Sequence, residues 1–206
     1  MSGEEIIKSV IRQLDERGWA QYEHFLKPAA IGELAAACRE GIAAQRFHRA
    51  GVGHGKTWQK REDIRGDLVC WMDEDDEIPA WQFYLERLEK LRRIVNHVFF
   101  LGLHDFEGHL AVYPPGSFYR RHLDQFADAP ERRLTAILYL NDNWTLDDGG
   151  QLRLYLDDGG SLDIYPQAGR FVTFLSDRFE HEVLPARRER LALTGWFRRR
   201  TLLPAW

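Results

Sequence analysis

Leu134-Thr-Ala-Ile-Leu-Tyr-Leu-Asn141 and Arg190-Leu-Ala-Leu-Thr-Gly-Trp-Phe197 are the two stretches that decide the fold. Both read as strands, and in a strand alternate side chains share a face. In the first, Leu134, Ala136, Leu138 and Leu140 form one face and Thr135, Ile137 and Tyr139 the other. In the second, Leu191, Leu193 and Phe197 oppose Arg190, Ala192, Thr194 and Trp196. One face of each strand is wholly apolar, as expected where helices cover a sheet. The other mixes polar tips with apolar bodies, as expected inside a barrel that holds a polar pocket.

Further short β-rich runs lie around these two, separated by turn signals such as Pro114-Pro-Gly116, Asp147-Asp-Gly-Gly150 and Asp157-Asp-Gly-Gly160. They predict strands at His109–Tyr113, Phe118–His122, Leu152–Leu156, Ser161–Ile164, Phe171–Leu175 and His181–Leu184, a count and spacing that suggest a jelly roll or barrel. The texture before Phe106 is mostly helical. Ile6, Ile7, Val10, Ile11 and Leu14 recur at helix spacing and Gly18 marks a stop. Pro28 sits at a helix start, with Ile31, Leu34, Ala35, Cys38 and Ile42 on one face. Ile78-Pro79 opens a longer helix with a wide apolar stripe from Trp81 to Val98. Between them, Leu68 to Met72 reads as a short strand, and Ala50 to Gly66 as a long mobile loop or hairpin. The expectation is one α+β domain over residues 1–206. Supporting helices at 1–45 and 78–98 pack on one sheet, a mobile substrate loop spans 50–66, and a β core spans 106–198.

Bulk composition narrows the partners. Hydrophobic residues at 44% and aromatics at 13% suffice for a sizeable core. The 28 Lys+Arg against 32 Asp+Glu leave a net charge of −4, without the basic excess of a nucleic-acid binder. The charged runs at Asp73–Glu77 and at Arg198–Arg200 read as solvated surface. Two distant cysteines, Cys38 and Cys70, give neither a disulfide framework nor zinc spacing. No basic segment leads an apolar run at the N-terminus, and no stretch approaches the roughly 20 apolar residues of a membrane span. A soluble, cytoplasmic protein without membrane partners is expected.

The chemistry is carried by His122-Leu-Asp124. On an extended backbone His122 and Asp124 lie on one face, within reach of one ion. His181 follows 57 residues later (181 − 124), beyond several strands that can wrap the barrel. Two imidazoles and one carboxylate on one side of an ion leave three positions open, which suits Fe(II) that also binds a chelating co-substrate and O₂. The same three ligands also build hydrolytic zinc sites, and His-x-Asp alone is more often a surface pair. Arg190 tips the balance. It lies nine residues past His181 (190 − 181), on the polar face of the last strand. An arginine inside a barrel is costly unless it meets an anion, and its planar fork suits a carboxylate. Thr194 further along that face and Tyr139 on the inward face of its own strand could add hydrogen bonds to the same carboxylate. His24, His48, His97, His104 and His109 are assigned to structure or surface.

These residues carry a resemblance. Tyr113-Pro-Pro-Gly116 with Tyr119-Arg-Arg-His122-Leu-Asp124, Thr135 to Asn141, Gly149-Gly-Gln-Leu-Arg-Leu154 and Phe174-Leu-Ser-Asp-Arg178 with His181 to Ala186 and Arg190 resemble the Fe(II)- and 2-oxoglutarate-dependent oxygenases. More narrowly they resemble the prolyl hydroxylases that act on hypoxia-inducible factor, and their bacterial relatives. Asp63-Ile-Arg65-Gly66-Asp67 resembles the end of that family's substrate-covering loop. The resemblance implies a double-stranded β-helix (jelly-roll) core and metal ligation by His122, Asp124 and His181. It implies 2-oxoglutarate bound by Arg190 and Tyr139, with Tyr113 in the co-substrate pocket. It places Arg132 and Trp196 near a prolyl peptide, and points to Trp58, Arg65 and Asp67 as further substrate contacts. The implied cofactors are Fe(II), 2-oxoglutarate and O₂, with ascorbate as reductant. The implied partner is a protein bearing a target proline, elongation factor Tu being the leading choice. Two alternatives stay open: an oxygenase of the same chemistry acting on a free amino acid, another residue or an alkylated base, and a non-enzymatic β-barrel sensor that binds metal or ligand.

Overall fold

A computed structural model describes residues 3–51, 59–73, 76–125 and 130–200. Helix α1 (Gly3–Arg17) buries Ile6, Ile7, Val10 and Leu14. It ends at Gly18, whose backbone at φ 80° donates to Leu14 O at 2.8 Å. That left-handed conformation closes the helix and favours glycine. Helix α2 (Pro28–Ala43) starts with its proline in the first turn, where the missing N–H costs nothing. Helix α3 (Pro79–Phe99) starts the same way and ends at Phe100 in the left-handed region.

The strands are β1 (Trp19–Tyr22), β2 (His48–Arg49), β3 (Leu68–Met72), β4 (Leu103–Tyr113), β5 (Tyr119–His122), β6 (Arg132–Tyr139), β7 (Leu152–Tyr155), β8 (Ser161–Ile164), β9 (Phe171–Leu175), β10 (His181–Val183) and β11 (Arg190–Arg199). They form a seven-stranded sheet in the order β1-β9-β6-β11-β4-β3-β2 and a four-stranded sheet in the order β5-β10-β7-β8. From β4 onward the chain passes back and forth between the two sheets, apart from the antiparallel neighbours β7 and β8, as in a jelly roll, and the expected fold class holds. No described helix is long and apolar enough to cross a membrane.

The two faces predicted for β6 and β11 bury in different cores. Leu134, Ala136, Leu138 and Leu140, with Leu191, Leu193 and Phe197, pack under the helices, against Val10, Leu34, Tyr84 and Leu88. Each fully buried leucine of this layer contributes roughly 1.5–3 kcal/mol relative to exposure. Ile137, Tyr139 and Ala192 face the other way, into a second core with Leu152, Leu154, Ile164 and Val183 of the small sheet. The functional side chains emerge into this space between the sheets.

Two departures from the sequence reading have physical causes. The short strand β1 was not expected. Four residues between a helix-stopping glycine and a loop carry no readable alternation, and it forms because it completes the edge beside β9. Strand β4 begins at Leu103 rather than His109, because its paired neighbour β11 runs on to Arg199 and holds it in register.

Candidate metal centre and anion pocket

Strands β5 and β10 are hydrogen-bonded neighbours, and His122 and His181 are direct partners across them. Asp124 follows two residues after His122, just past the strand end, so all three side chains meet between the sheets. One ligand atom from each lies within 4.8 Å of the others. His122 Nε2 is 3.4 Å from Asp124 Oδ1, and His181 Nε2 is 3.5 Å from Asp124 Oδ2. His122 Nδ1 lies 2.7 Å from Arg120 O, and His181 Nδ1 lies 3.2 Å from Phe179 O. A carbonyl only accepts, so both Nδ1 atoms are assigned the proton. Each Nε2 then keeps its lone pair toward the cluster, the state a metal ligand needs.

The carboxylate is held from behind. Thr135 Oγ1 donates to Asp124 Oδ2 at 2.7 Å and lies 2.9 Å from Ser176 Oγ. Thr135 has one proton to give, so Ser176 donates to Thr135 and the chain is directed toward the carboxylate. Burial alone would raise the Asp124 carboxyl. Its interactions with the facing His181 and His122 imidazoles and the Thr135 hydrogen bond outweigh it, and the group is held well below the usual carboxylate range. Burial pushes the His181 imidazole down to about 4, against the pull of Asp124. At neutral pH His181 therefore supplies a lone pair rather than a charge. The ionised Asp124 then accepts from Thr135, and a cation held by the three groups would complete its neutralisation.

Arg190 lines the same cleft, which has a volume of about 680 Å³. It is 2% exposed. Its Nε donates to Gly150 O at 2.9 Å, and no carboxylate among the described residues pairs with it. The guanidinium carbon lies 4.9 Å from the Tyr113 ring centroid and 5.0 Å from that of Tyr139. The buried Tyr139 hydroxyl has no hydrogen-bond partner of good geometry, although the nearby guanidinium acts on it electrostatically. Gly150 is required here. It sits at φ 69°, and a Cβ would come within 2.9 Å of Ala186 and 3.3 Å of Arg190 Cδ. A buried cation beside an orphaned hydroxyl is an uncompensated arrangement until an anion arrives.

Toward the open end the inner face becomes aromatic. His109 sits between Trp71 and Trp196, with ring centroids 4.9 and 5.5 Å away. Arg132 lies 3.5 Å over the Trp196 ring and donates to Glu107 at 2.9 Å. Burial, reinforced by the Arg65 charge, pushes the His109 imidazole down to about 3, so it is neutral.

The sequence-predicted residues fall into four groups. His122, Asp124, His181, Arg190, Thr194, Tyr113, Arg65, Arg132 and Trp196 all line the cleft. Tyr139 lies behind its wall, against Arg190. Asp67 does not face the cleft. Its side chain is fully buried and paired with Arg65 at 2.5 Å, which corrects its reading as a substrate contact. Trp58 lies outside the described residues, as does His54. His109, assigned in the sequence to structure or surface, and Tyr119, quoted there only as part of the resembling motif, also line the cleft. For Tyr119 the signal was its place in the strand that carries His122.

The fold and this site together define a class. A model of the 2OG-Fe(II) oxygenase superfamily matches residues 108–198, and the chain belongs to that superfamily. Its members work with Fe(II), 2-oxoglutarate and O₂, and the donor set fits: neutral imidazoles and an ionised carboxylate for the ion, and an unpaired buried guanidinium for the dicarboxylate. Among solved structures, the chain is 47% identical to a Pseudomonas putida prolyl-4-hydroxylase, covering 95% of this chain and 100% of that one with a TM-score of 0.86. It is 29% identical to a Trichoplax adhaerens prolyl hydroxylase in complex with a hypoxia-inducible factor peptide fragment, over 95% and 90% of the two chains with a TM-score of 0.85. It is 32% identical to the hypoxia-inducible factor prolyl hydroxylase of Caenorhabditis elegans over 93% of this chain. The chain spans 28% of the length of that curated relative and 33% of the human Egl nine homolog 1.

Proposed function

We propose that the protein hydroxylates a proline within a protein substrate, consuming 2-oxoglutarate and O₂ at Fe(II) and releasing succinate and CO₂. The observation that carries the oxygenase chemistry is the buried, carboxylate-free Arg190 in one cleft with the His122–Asp124–His181 cluster. The likeness to prolyl hydroxylases at 47% and 32% identity supports proline as the target. Elongation factor Tu, in the cytoplasm, is the leading substrate.

His122, Asp124 and His181 would hold the iron, which with 2-oxoglutarate and O₂ supplies the oxidising power to functionalise an unactivated carbon. The chain's own contribution is placement and exclusion. Arg190 would receive the distal carboxylate of 2-oxoglutarate as a charge-assisted pair, with the Tyr139 hydroxyl and Thr194 nearby to complete its hydrogen bonds. That anchors the co-substrate's other end toward the ligand cluster. Ile137, Leu152 and Val183 line the cleft between the two ends and keep it poor in water. Trp196, with Arg132 laid across it, offers a flat apolar surface on which a prolyl segment would rest.

The test is direct. Purified protein with Fe(II), ascorbate and 2-oxoglutarate is incubated with elongation factor Tu, and succinate and peptide masses are measured. Stoichiometric succinate with one oxygen gained on a proline is the expected result. Hydroxylation of that protein at a residue other than proline, or no succinate above background with any protein extract, would overturn the reading.

A further inference from the structure

We infer that Arg65 and Tyr119 are positioning residues that fix the ring plane of His122. The inference rests on the reading of His122 as a metal ligand. It concerns residues that the sequence suggested as substrate contacts or did not single out.

An imidazole on a short edge strand is under-determined. The Nδ1 contact of His122 to Arg120 O restrains one edge of the ring but leaves rotation about that contact. A flat partner on one face removes this freedom, and Tyr119 provides it. Its ring lies 3.6 Å from that of His122 with an interplanar angle of 17°. Adjacent strand residues point to opposite faces, but Tyr119 and His122 are three apart, so the stack is not a product of strand alternation. Something must hold Tyr119 there.

That something is Arg65. Its guanidinium carbon lies 4.1 Å from the Tyr119 ring centroid, on a cation–π contact. The guanidinium is itself locked. Nε and Nη2 donate to the two oxygens of Asp67 at 2.7 and 2.5 Å, and Nη1 donates to Gly51 O at 3.3 Å. The Asp67 side chain is fully buried and that of Arg65 is 12% exposed, so the pair is little screened by solvent. The backbone carries the same message. Residues 64–66 run along the free edge of β5, with Arg120 N donating to Ile64 O at 2.8 Å and Gly66 N donating to Phe118 O at 3.0 Å. Asp67, Arg65, Tyr119 and His122 thus form one column from a buried carboxylate to the ligand cluster. With its donors turned to Asp67 and Gly51, Arg65 supports a ligand rather than gripping a substrate.

The experiment uses the full-length, metal-free protein titrated with Co(II), a redox-stable stand-in for Fe(II). Affinity is read by calorimetry and ligand geometry by the visible d–d band. Tyr119→Phe keeps the ring and should bind Co(II) with unchanged affinity and band. Tyr119→Leu removes the flat partner and should weaken binding by about 10- to 100-fold, the usual cost of losing an outer support of a metal ligand, with a shifted band. Arg65→Lys keeps the charge but loses the planar contact, and should shift the band in the same direction as Tyr119→Leu. Unchanged far-ultraviolet dichroism in the metal-free state separates positioning from general damage. Should Tyr119→Leu fail to fold, Arg65→Lys carries the test alone. The inference is overturned if Tyr119→Leu, or Arg65→Lys in its place, leaves affinity and band as in the parent, or if Tyr119→Phe loses as much as Tyr119→Leu. His122→Ala guards the underlying reading. If that variant binds Co(II) like the parent, the metal-centre assignment itself is wrong, which is a different result from an inert Tyr119.

Discussion

Replacing Arg190 with methionine should change the stability of the ligand-free protein little, while nearly abolishing co-substrate binding. The two effects differ in size for one reason: the guanidinium is 2% exposed, donates to Gly150 O, and meets no carboxylate among the described residues. Stripping water from an ion costs several kcal/mol, and replacing buried ionic groups by apolar ones of similar volume commonly stabilises by about 1–4 kcal/mol. Against this stand the Gly150 hydrogen bond, worth roughly 1.5–3 kcal/mol for a charged donor, and weak contacts to the Tyr113 and Tyr139 rings. The balance lies between about −2 and +2.5 kcal/mol in favour of methionine, a change in Tm of less than about 10 °C in either direction for a chain of this size. On the binding side, losing a charge-assisted, bidentate contact of about 2–4 kcal/mol weakens 2-oxoglutarate by roughly 30- to 1000-fold. Thermal unfolding with and without 2-oxoglutarate, in the presence of Mn(II), reads both at once. The parent should gain a ligand-dependent upshift that the variant lacks. A ligand-free variant that melts well over ~10 °C lower would show that the guanidinium is a structural brace, and normal 2-oxoglutarate affinity would place the anion pocket elsewhere.

Two further outcomes follow from the same site. Thr135→Val removes the only side-chain hydroxyl donating to Asp124 Oδ2 among the described residues. The Fe(II) concentration for half-maximal succinate formation should rise by about 10- to 100-fold, with Thr135→Ser close to the parent; equal Fe(II) demand in Val and Ser variants would refute this. His109 is lowered by burial from 6.5 to about 3, with Arg65, Asp67, Arg132 and Asp124 as the charges acting on it. The unfolded chain therefore takes up its proton first as the pH falls. Its share of stability is whole above pH 6.5 and is lost between there and about 3, with a slope approaching about 1.4 kcal/mol per pH unit. His109→Phe should flatten that slope, so the parent-minus-variant stability difference should shrink from pH 7 to pH 5; a difference independent of pH would refute the assignment.

What was legible in the sequence was whatever depends on strand periodicity. His122 and Asp124 share a face because they are two apart, and Arg190, Thr194 and Trp196 share one for the same reason. What was not legible depends on register between distant strands. His109 read as structure or surface because its neighbours come from elsewhere: Trp71 faces it across β3–β4 and Thr194 across β4–β11. Asp67 read as a substrate contact because a charged residue at a loop end gives no sign of which way it turns. Its burial is decided by Arg65 two residues earlier, and by Ala50 N donating to its carbonyl at 3.1 Å. The Tyr119–His122 stack could not have been read at all, since it defies the alternation that made the rest readable.

The direct pairing of His122 with His181 across β5 and β10 also governs when the centre can exist. During synthesis, a chain that has emerged as far as Asp124 carries two of the three donors but no coordination cage. Only closure of a ladder between strands whose paired histidines are 59 residues apart in sequence (181 − 122) brings in the third. A slip of one residue would turn His181 to the outer surface. Partly folded or mispaired chains therefore lack the third donor, and the full set of three would be offered to an ion only once the cleft is assembled.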